Sequence, residues 1–288
     1  MLELGRLQII GFGVIVFAAV AFMVLERIFP YNPGQKLFRE GFWMDMLLYN
    51  LGQSYLLGVV ISWIISGIDR STSVSRLHLI TNWPIALQVA LFLVTHDLYI
   101  YWAHRTQHKF EWLWKIHEAH HATDDVDFLS GVRSHPIEIL INQTIEFMPI
   151  VLLGAAPQVA IYKGMFSAIW GMYIHSNLDV SSGRLQWVIN GPEMHRWHHA
   201  DGDDRAMFKN FSTKLAIWDW MFGTAFLPIG EKSTRYGVND PTFPKGYFGQ
   251  VGHFFVYSYR RLTAKNHPAS LPPISPDHRA EHSAGQTA

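Results

Sequence analysis

Sixteen histidines stand in a chain of 288 residues that has no cysteine. Eight of them fall into three short clusters: "HRTQH" carries His104 and His108, "HEAHH" carries His117, His120 and His121, and "HRWHH" carries His195, His198 and His199. On a helix, residues three and four apart lie about one turn from each other on one face, so each cluster presents its imidazoles together. Packed without a partner, such rings would repel as soon as one took a proton, and a neutral ring needs partners for both nitrogens. A metal removes that difficulty. One ion rarely takes more than about six ligands, so eight nitrogens suit two metals with positions left open, and imidazole suits zinc, copper, iron and nickel. Without cysteine, thiolate nucleophiles, Cys-ligated zinc, iron–sulfur clusters and thiolate-ligated haem are excluded.

Other residues near the clusters are expected to support them. Asp97 precedes His104 by seven residues, nearly two turns, and so shares its helix face. A buried carboxylate that hydrogen-bonds the second ring nitrogen of a ligand histidine orients the ring and raises its basicity, which is the expected role of Asp97. A purely structural bond to Tyr or Trp is the rival. His96 lies about 12 Å along the helix from His104 and roughly 80° round it, which suits a supporting position better than a ligand. Asp124, Asp125 and Asp127 read as a solvated, capping loop, and Asp219 in "WDWMFGT" as structural. The scattered His78, His253, His267, His278 and His282 read as ordinary core or surface residues.

These clusters need elements to hold them, and the composition indicates a membrane. Hydrophobic residues make up 49% of the chain and charged residues 16%, well under the roughly 25% charge of soluble domains. Net charge is zero, which gives no general attraction to nucleic acid. From Leu7 to Leu25 the chain runs without a charge, long enough for a span, and no small-residue cleavage site follows, so a retained anchor is expected rather than a signal peptide. Further spans are expected at Trp43–Ile65, Trp83–Tyr101, Ile137–Ala155 and Pro157–Asn177, although the second, fourth and fifth carry polar or charged residues. Arg27, Lys36, Arg39, Arg105, Lys109, Lys115 and Arg133 would then collect on one side, opposite Arg6, Arg70 and Arg76. By the positive-inside tendency that side is cytoplasmic, and it holds all three clusters. The expected fold is therefore all-α: a polytopic membrane bundle of about four to five spans, capped on the cytoplasmic side by a histidine-rich helical layer that holds a dimetal site. Trp112 and Trp114 in "EWLWKI" would seat that layer against the bilayer.

The order "HRTQH", "HEAHH", "HRWHH", with the flanking "YWAHR", "RSHPIE" and "WDWMFGT", resembles the signature of the membrane-bound fatty acid hydroxylase and sterol desaturase superfamily, over roughly Trp83 to Leu227. That resemblance implies a non-haem diiron enzyme without iron–sulfur clusters, which uses dioxygen and two electrons to hydroxylate or desaturate a C–H site of a lipid such as a sterol or fatty acyl chain. It implies iron at His104, His108, His117, His120, His121, His195, His198 and His199, with His175 in "YIHSNLD" as a ninth ligand and zinc as a substitute in purified protein. His135 matches a family position but precedes a proline, which disfavours helix there; it is as suited to shaping the substrate mouth. Hydroxylation is the preferred outcome. Electrons must come from an external donor, a reductase or small redox carrier, because the chain shows no G-x-G-x-x-G fingerprint. The implied organisation is N-terminal spans over 1–82, a catalytic domain over 83–230, a C-terminal cytoplasmic segment over 231–267 and a disordered tail over 268–288. Two rivals remain open: a histidine-rich divalent metal transporter, whose ligands would lie near the membrane midplane, and a zinc-dependent lipid hydrolase.

Overall fold

The computed structural model describes residues 2–238, 240 and 242–263; the tail expected to be disordered, 268–288, lies outside the described residues. Among the described residues the fold is helical, and the extended chain makes only two isolated bridges, Pro30 with Leu178 and Ala200 with Tyr236. Helix α1 (Leu2–Ile28) follows the uncharged run, and nearly all of its surface is uncovered: Gly11 and Glu26 are its buried residues. The second rod, Phe42–Thr72, begins as α2 (Phe42–Met44), passes through a π-helical stretch (Asp45–Gln53) and continues as α3 (Ser54–Thr72). Helix α4 (Ile85–Lys109) is the third. These three rods are long and apolar enough to cross a membrane, and their many exposed Leu, Ile, Val, Phe and Trp side chains fit a lipid-facing surface. The expected fourth and fifth spans form helices too, α6 (Pro136–Leu152) and α7 (Pro157–His175), but they are not among those three.

The turns between helices aim the clusters. Helix α4 does not stop at Tyr101; it runs on to Lys109, so His104 and His108 sit on the last turns of a membrane-length rod. Phe110 is extended (φ −106°, ψ 121°), which breaks the helix and lets α5 (Glu111–His121) fold back beside α4. His135 is also extended and its side chain accepts from the Ile137 amide at 3.2 Å, while Pro136 fills the first turn of α6, a pairing that starts a helix well. Pro157 and Pro192 begin α7 and α8 (Pro192–His198) in the same way. α7 packs against α1, α4 and α8. α9 (Ile217–Met221) is a single turn, and α10 (Tyr247–Thr263) lies along α5.

Candidate metal centre

The nine expected ligands come together as two neighbouring groups. His104, His108, His117, His121 and His198 offer nitrogens within 4.8 Å of one another, and so do His120, His175, His195 and His199. Each pair spaced four apart, 104/108, 117/121 and 195/199, stays within one group. The residue spaced three from its neighbour, His120 in one triplet and His198 in the other, crosses to the second group. Ring centroids across the divide are close, 4.4 Å for His121 and His199 and 4.8 Å for His121 and His198 within the first group.

Hydrogen bonds fix which nitrogen faces inward. Nδ1 of His104 lies 2.8 Å from the Phe211 carbonyl, that of His120 2.9 Å from the Arg133 carbonyl, that of His175 2.8 Å from the Gly171 carbonyl and that of His198 2.8 Å from the Lys209 carbonyl. A carbonyl only accepts, so each Nδ1 carries the proton and each Nε2 keeps its lone pair. His117 Nδ1 makes the equivalent bond to Glu138 Oε1 at 2.9 Å. All five Nε2 atoms of the first group are then buried without a hydrogen-bond partner. In the second group, Nε2 of His120 stands 3.3 Å from that of His175, His175 2.9 Å from His195, and His195 3.1 Å from His199. His120 and His175 would set lone pair against lone pair. Metal–nitrogen bonds of about 2.0–2.1 Å separate neighbouring ligand nitrogens by roughly 2.9–3.4 Å, so this spacing fits a cation among them. The donor set of imidazoles with bonded outer nitrogens is that of a transition metal.

Electrostatics agree with the geometry. Burial pushes His117 and His120 down to about 3, helped by neighbouring imidazoles, and drives His121, His195, His198 and His199 well below the usual histidine value. The rings are therefore neutral and able to ligate.

Several supporting residues differ from expectation. Asp97 reaches no histidine of the centre: its oxygens accept from Thr213 Oγ1 (2.8 Å), the Lys214 and Leu215 amides (2.9 and 2.8 Å) and Trp218 Nε1 (3.0 Å). The shared helix face was right, but seven residues rise about 10 Å, beyond a direct bond. Asp219 works alongside it, accepting from the Phe211 and Ser212 amides and Thr224 Oγ1. Both carboxylates hold the strand of chain whose Phe211 carbonyl orients His104. Asp127 is not solvated: it is buried, accepts from the Leu129 and Ser130 amides, and pairs with Arg39, which also pairs with Asp45. His135 caps α6 and approaches the Val251 carbonyl, and neither it nor His96 joins a histidine group. Trp114 packs on His108 and His121 with centroids 5.0 and 5.2 Å away, while Trp112 stacks edge-on against Phe254.

Two residues escaped the sequence reading. Glu138, inside "RSHPIE", was a carboxylate in an apolar helix, a signal that a partner was near. Gly131 sits under the His175 ring, where a Cβ would stand 2.5 Å from Nδ1.

Two cavities approach the centre from different sides. One, about 220 Å³, runs between α4, α6 and α7 and touches His104 and His117 of the first group and His120, His175 and His195 of the second. The other, about 140 Å³, reaches His108, His121, His198 and His199 beneath the loop holding Asp201, Asp203 and Asp204.

The fatty acid hydroxylase family model matches residues 89–224, a segment containing all nine clustered histidines. Over this segment, a little under half of the chain, the sequence is similar to the fatty acid hydroxylase family. Among curated relatives, the ornithine lipid hydroxylase of Rhizobium tropici is 32% identical over 194 residues, covering 66% of this chain and 57% of that protein. The human alkylglycerol monooxygenase is 32% identical over 146 residues, 50% of this chain and 32% of its own length. The Delta(7)-sterol-C5(6)-desaturase of Nicotiana tabacum is 26% identical over 153 residues, 52% of this chain and 53% of its own length. The chain thus spans about a third to somewhat over half of these relatives. No solved structure matches this chain.

Proposed function

We propose that this chain is a membrane-bound diiron oxygenase that hydroxylates a C–H site of a lipid. The observation that carries the reading is the pair of histidine groups: five of the nine rings are held through Nδ1, and the Nε2 atoms converge, those of the first group without any partner. His104, His108, His117, His121 and His198 would hold one iron, and His120, His175, His195 and His199 the other. When bound, the irons supply the activation of dioxygen and the oxidation of a strong C–H bond. The balance of the hydroxylation is one dioxygen, two electrons and two protons in, one oxygen atom onto carbon and the other released as water.

The protein's own contribution is positioning and exclusion of water. Carbonyls of Phe211, Arg133, Gly171 and Lys209, with Glu138, hold the rings in one tautomer and orientation. The larger cavity brings Ile100, Ala103, Trp170 and Ile174 up to the histidines, a lining suited to a lipid chain. The smaller one, beneath the acidic loop, suits water, protons and the approach of an external electron donor. The centre is assigned to the cytoplasmic side by the distribution of Lys and Arg, and residues 83–230 are assigned as the catalytic unit. Hydroxylation is preferred to desaturation because two of the three relatives above are named as a hydroxylase and a monooxygenase.

Metal analysis with oxygen-uptake measurement on purified protein tests the reading. Two irons per chain and reductant-dependent oxygen consumption with a lipid extract, yielding a product heavier by one oxygen, are expected. Stoichiometric zinc with no oxygen uptake would sink it and favour the hydrolase; transport of metal across vesicles would favour the transporter.

A further inference from the structure

The end of the larger cavity away from the histidine groups is polar, although it lies against the membrane-length helix α4. His96, Asn142, Ser167 and Lys214 line it. Behind them, the Lys163 ammonium pairs with Glu146 and stands 3.4 Å from His96 Nδ1. An ammonium can only donate, so His96 Nδ1 accepts and the His96 proton sits on Nε2. That Nε2 is buried without a partner, and the side chain is only 9% exposed. Lys214 is similar: its side chain is 11% exposed, and its Nζ makes no hydrogen bond among the described residues. Its nearest carboxylate oxygen, Asp97 Oδ1, is 4.0 Å away and already accepts from Thr213 and the Lys214 amide. His96, whose Nε2 is buried, and the half-buried Lys214 therefore line one cavity, and neither donor has a hydrogen-bond partner among the described residues. Leaving such donors unpaired is unfavourable, more so when charged, so an acceptor that enters with the ligand is favoured.

The charge balance says which acceptor. Lys163 and Lys214 offset Glu146 and Asp97, and His96 is neutral, so an added carboxylate or phosphate would bring an uncompensated charge into an apolar surrounding. An uncharged oxygen would not. We propose that His96 Nε2 and Lys214 Nζ form a binding site for an uncharged oxygen acceptor of the lipid, an alcohol or ester oxygen, with the carbon chain running from there past Ile100, Ala103 and Ile174 to the histidines. His96 precedes His104 by eight residues, about 12 Å along α4. The site acts as a ruler, fixing which carbon reaches the metal end. This inference rests on the oxygenase reading for its consequence, and on the cavity alone for binding.

Binding is measured on the full-length protein in nanodiscs without reductant, so that turnover does not enter. The probes are radiolabelled dodecane, 1-dodecanol, methyl dodecanoate and dodecanoate, each corrected with protein-free nanodiscs. The alcohol and the ester are expected to be held about tenfold more tightly than dodecane, with dodecanoate no tighter than the alcohol. His96→Leu and Lys214→Met should each reduce that preference several-fold, and the double variant should abolish it. His96→Gln and Lys214→Arg keep a donor and should retain most of it, which separates loss of the site from loss of fold. Equal retention of dodecane, tightest binding of dodecanoate, or a preference that survives in the double variant would overturn the proposal. Oxygen uptake is measured separately on the same preparation, so a failed oxygenase reading with the preference intact is told apart from a failed binding site.

Discussion

The histidine centre, drawn from α4, α5, α7 and α8, and the carboxylate hub of Asp97 on α4 and Asp219 on α9 are both buried and polar, yet they behave oppositely. Asp97 accepts four hydrogen bonds, and Asp219 takes two amides and a hydroxyl. Five of the nine histidines bond outward through Nδ1, and the Nε2 atoms converge, those of the first group without partners. A buried polar group with its bonds made is scaffold, because its desolvation is already offset. A set of buried lone pairs aimed at one another needs a cation to be stable. Satisfaction of hydrogen bonds, more than burial or charge, separates the part that shapes from the part that reacts.

Substitutions in the two regions should break in different ways. The largest effect is expected for His121→Ala and His199→Ala: each removes a ligand from one group, so iron should fall from two per chain towards one and turnover should drop below detection. Retention of two irons in either would contradict the grouping. Gly131→Ala comes next, since its methyl would displace the His175 ring; loss of metal from the second group, with the fold kept, is expected by metal analysis and circular dichroism. Asp97→Ala should act in the contrary sense, leaving four donors unpaired and costing stability by about 2–4 kcal/mol, while the protein that remains folded keeps its iron. Thermal unfolding with metal analysis reads both quantities, and an Asp97 variant of unchanged stability that loses iron would dissolve the contrast.

The contrast also explains what could be read from residues alone. The i, i+4 pairs announce themselves because helical periodicity is carried by the sequence, and those pairs do stay within one group. That His120 and His198 cross to the opposite group depends on how α5 and α8 face each other, which no local spacing encodes. The acceptors that orient the rings are mostly main-chain carbonyls, of Phe211, Lys209, Arg133 and Gly171, and a carbonyl is present whatever the residue type. Asp97 illustrates the middle case: helical geometry gave its face, but its partners come from a segment over a hundred residues away. The hydropathy of α6 and α7 is diluted by Glu138, Glu146 and Lys163, which pair across the bundle. Such pairing is invisible along the chain, so the number of spans was harder to read than the metal-binding pattern.

A smaller effect should come from Glu138→Gln, which weakens the acceptor for His117 Nδ1 without removing a ligand. Metal affinity is expected to fall about 10- to 100-fold, read by chelator competition, with the second group less affected. An equal loss from both groups would mean that they do not fill independently.

The smallest effect is expected from mild acid. His117 and His120 are held near 3 by burial, whereas an unfolded histidine titrates near about 6.5. The unfolded chain therefore takes up protons that the folded one refuses. Stability from these rings is full above about 6.5 and is lost progressively as pH falls towards 3. Bound metal moves in the same direction, because protons compete for the same nitrogens. Between pH 7.5 and 6 the change should be slight, and below 6 metal should leave before helicity does, since the carboxylate hub is not built from imidazoles. Iron content and circular dichroism followed together down the titration check this. Helix loss that precedes iron loss would show that the hub, and not the histidine centre, is the acid-sensitive part of the molecule.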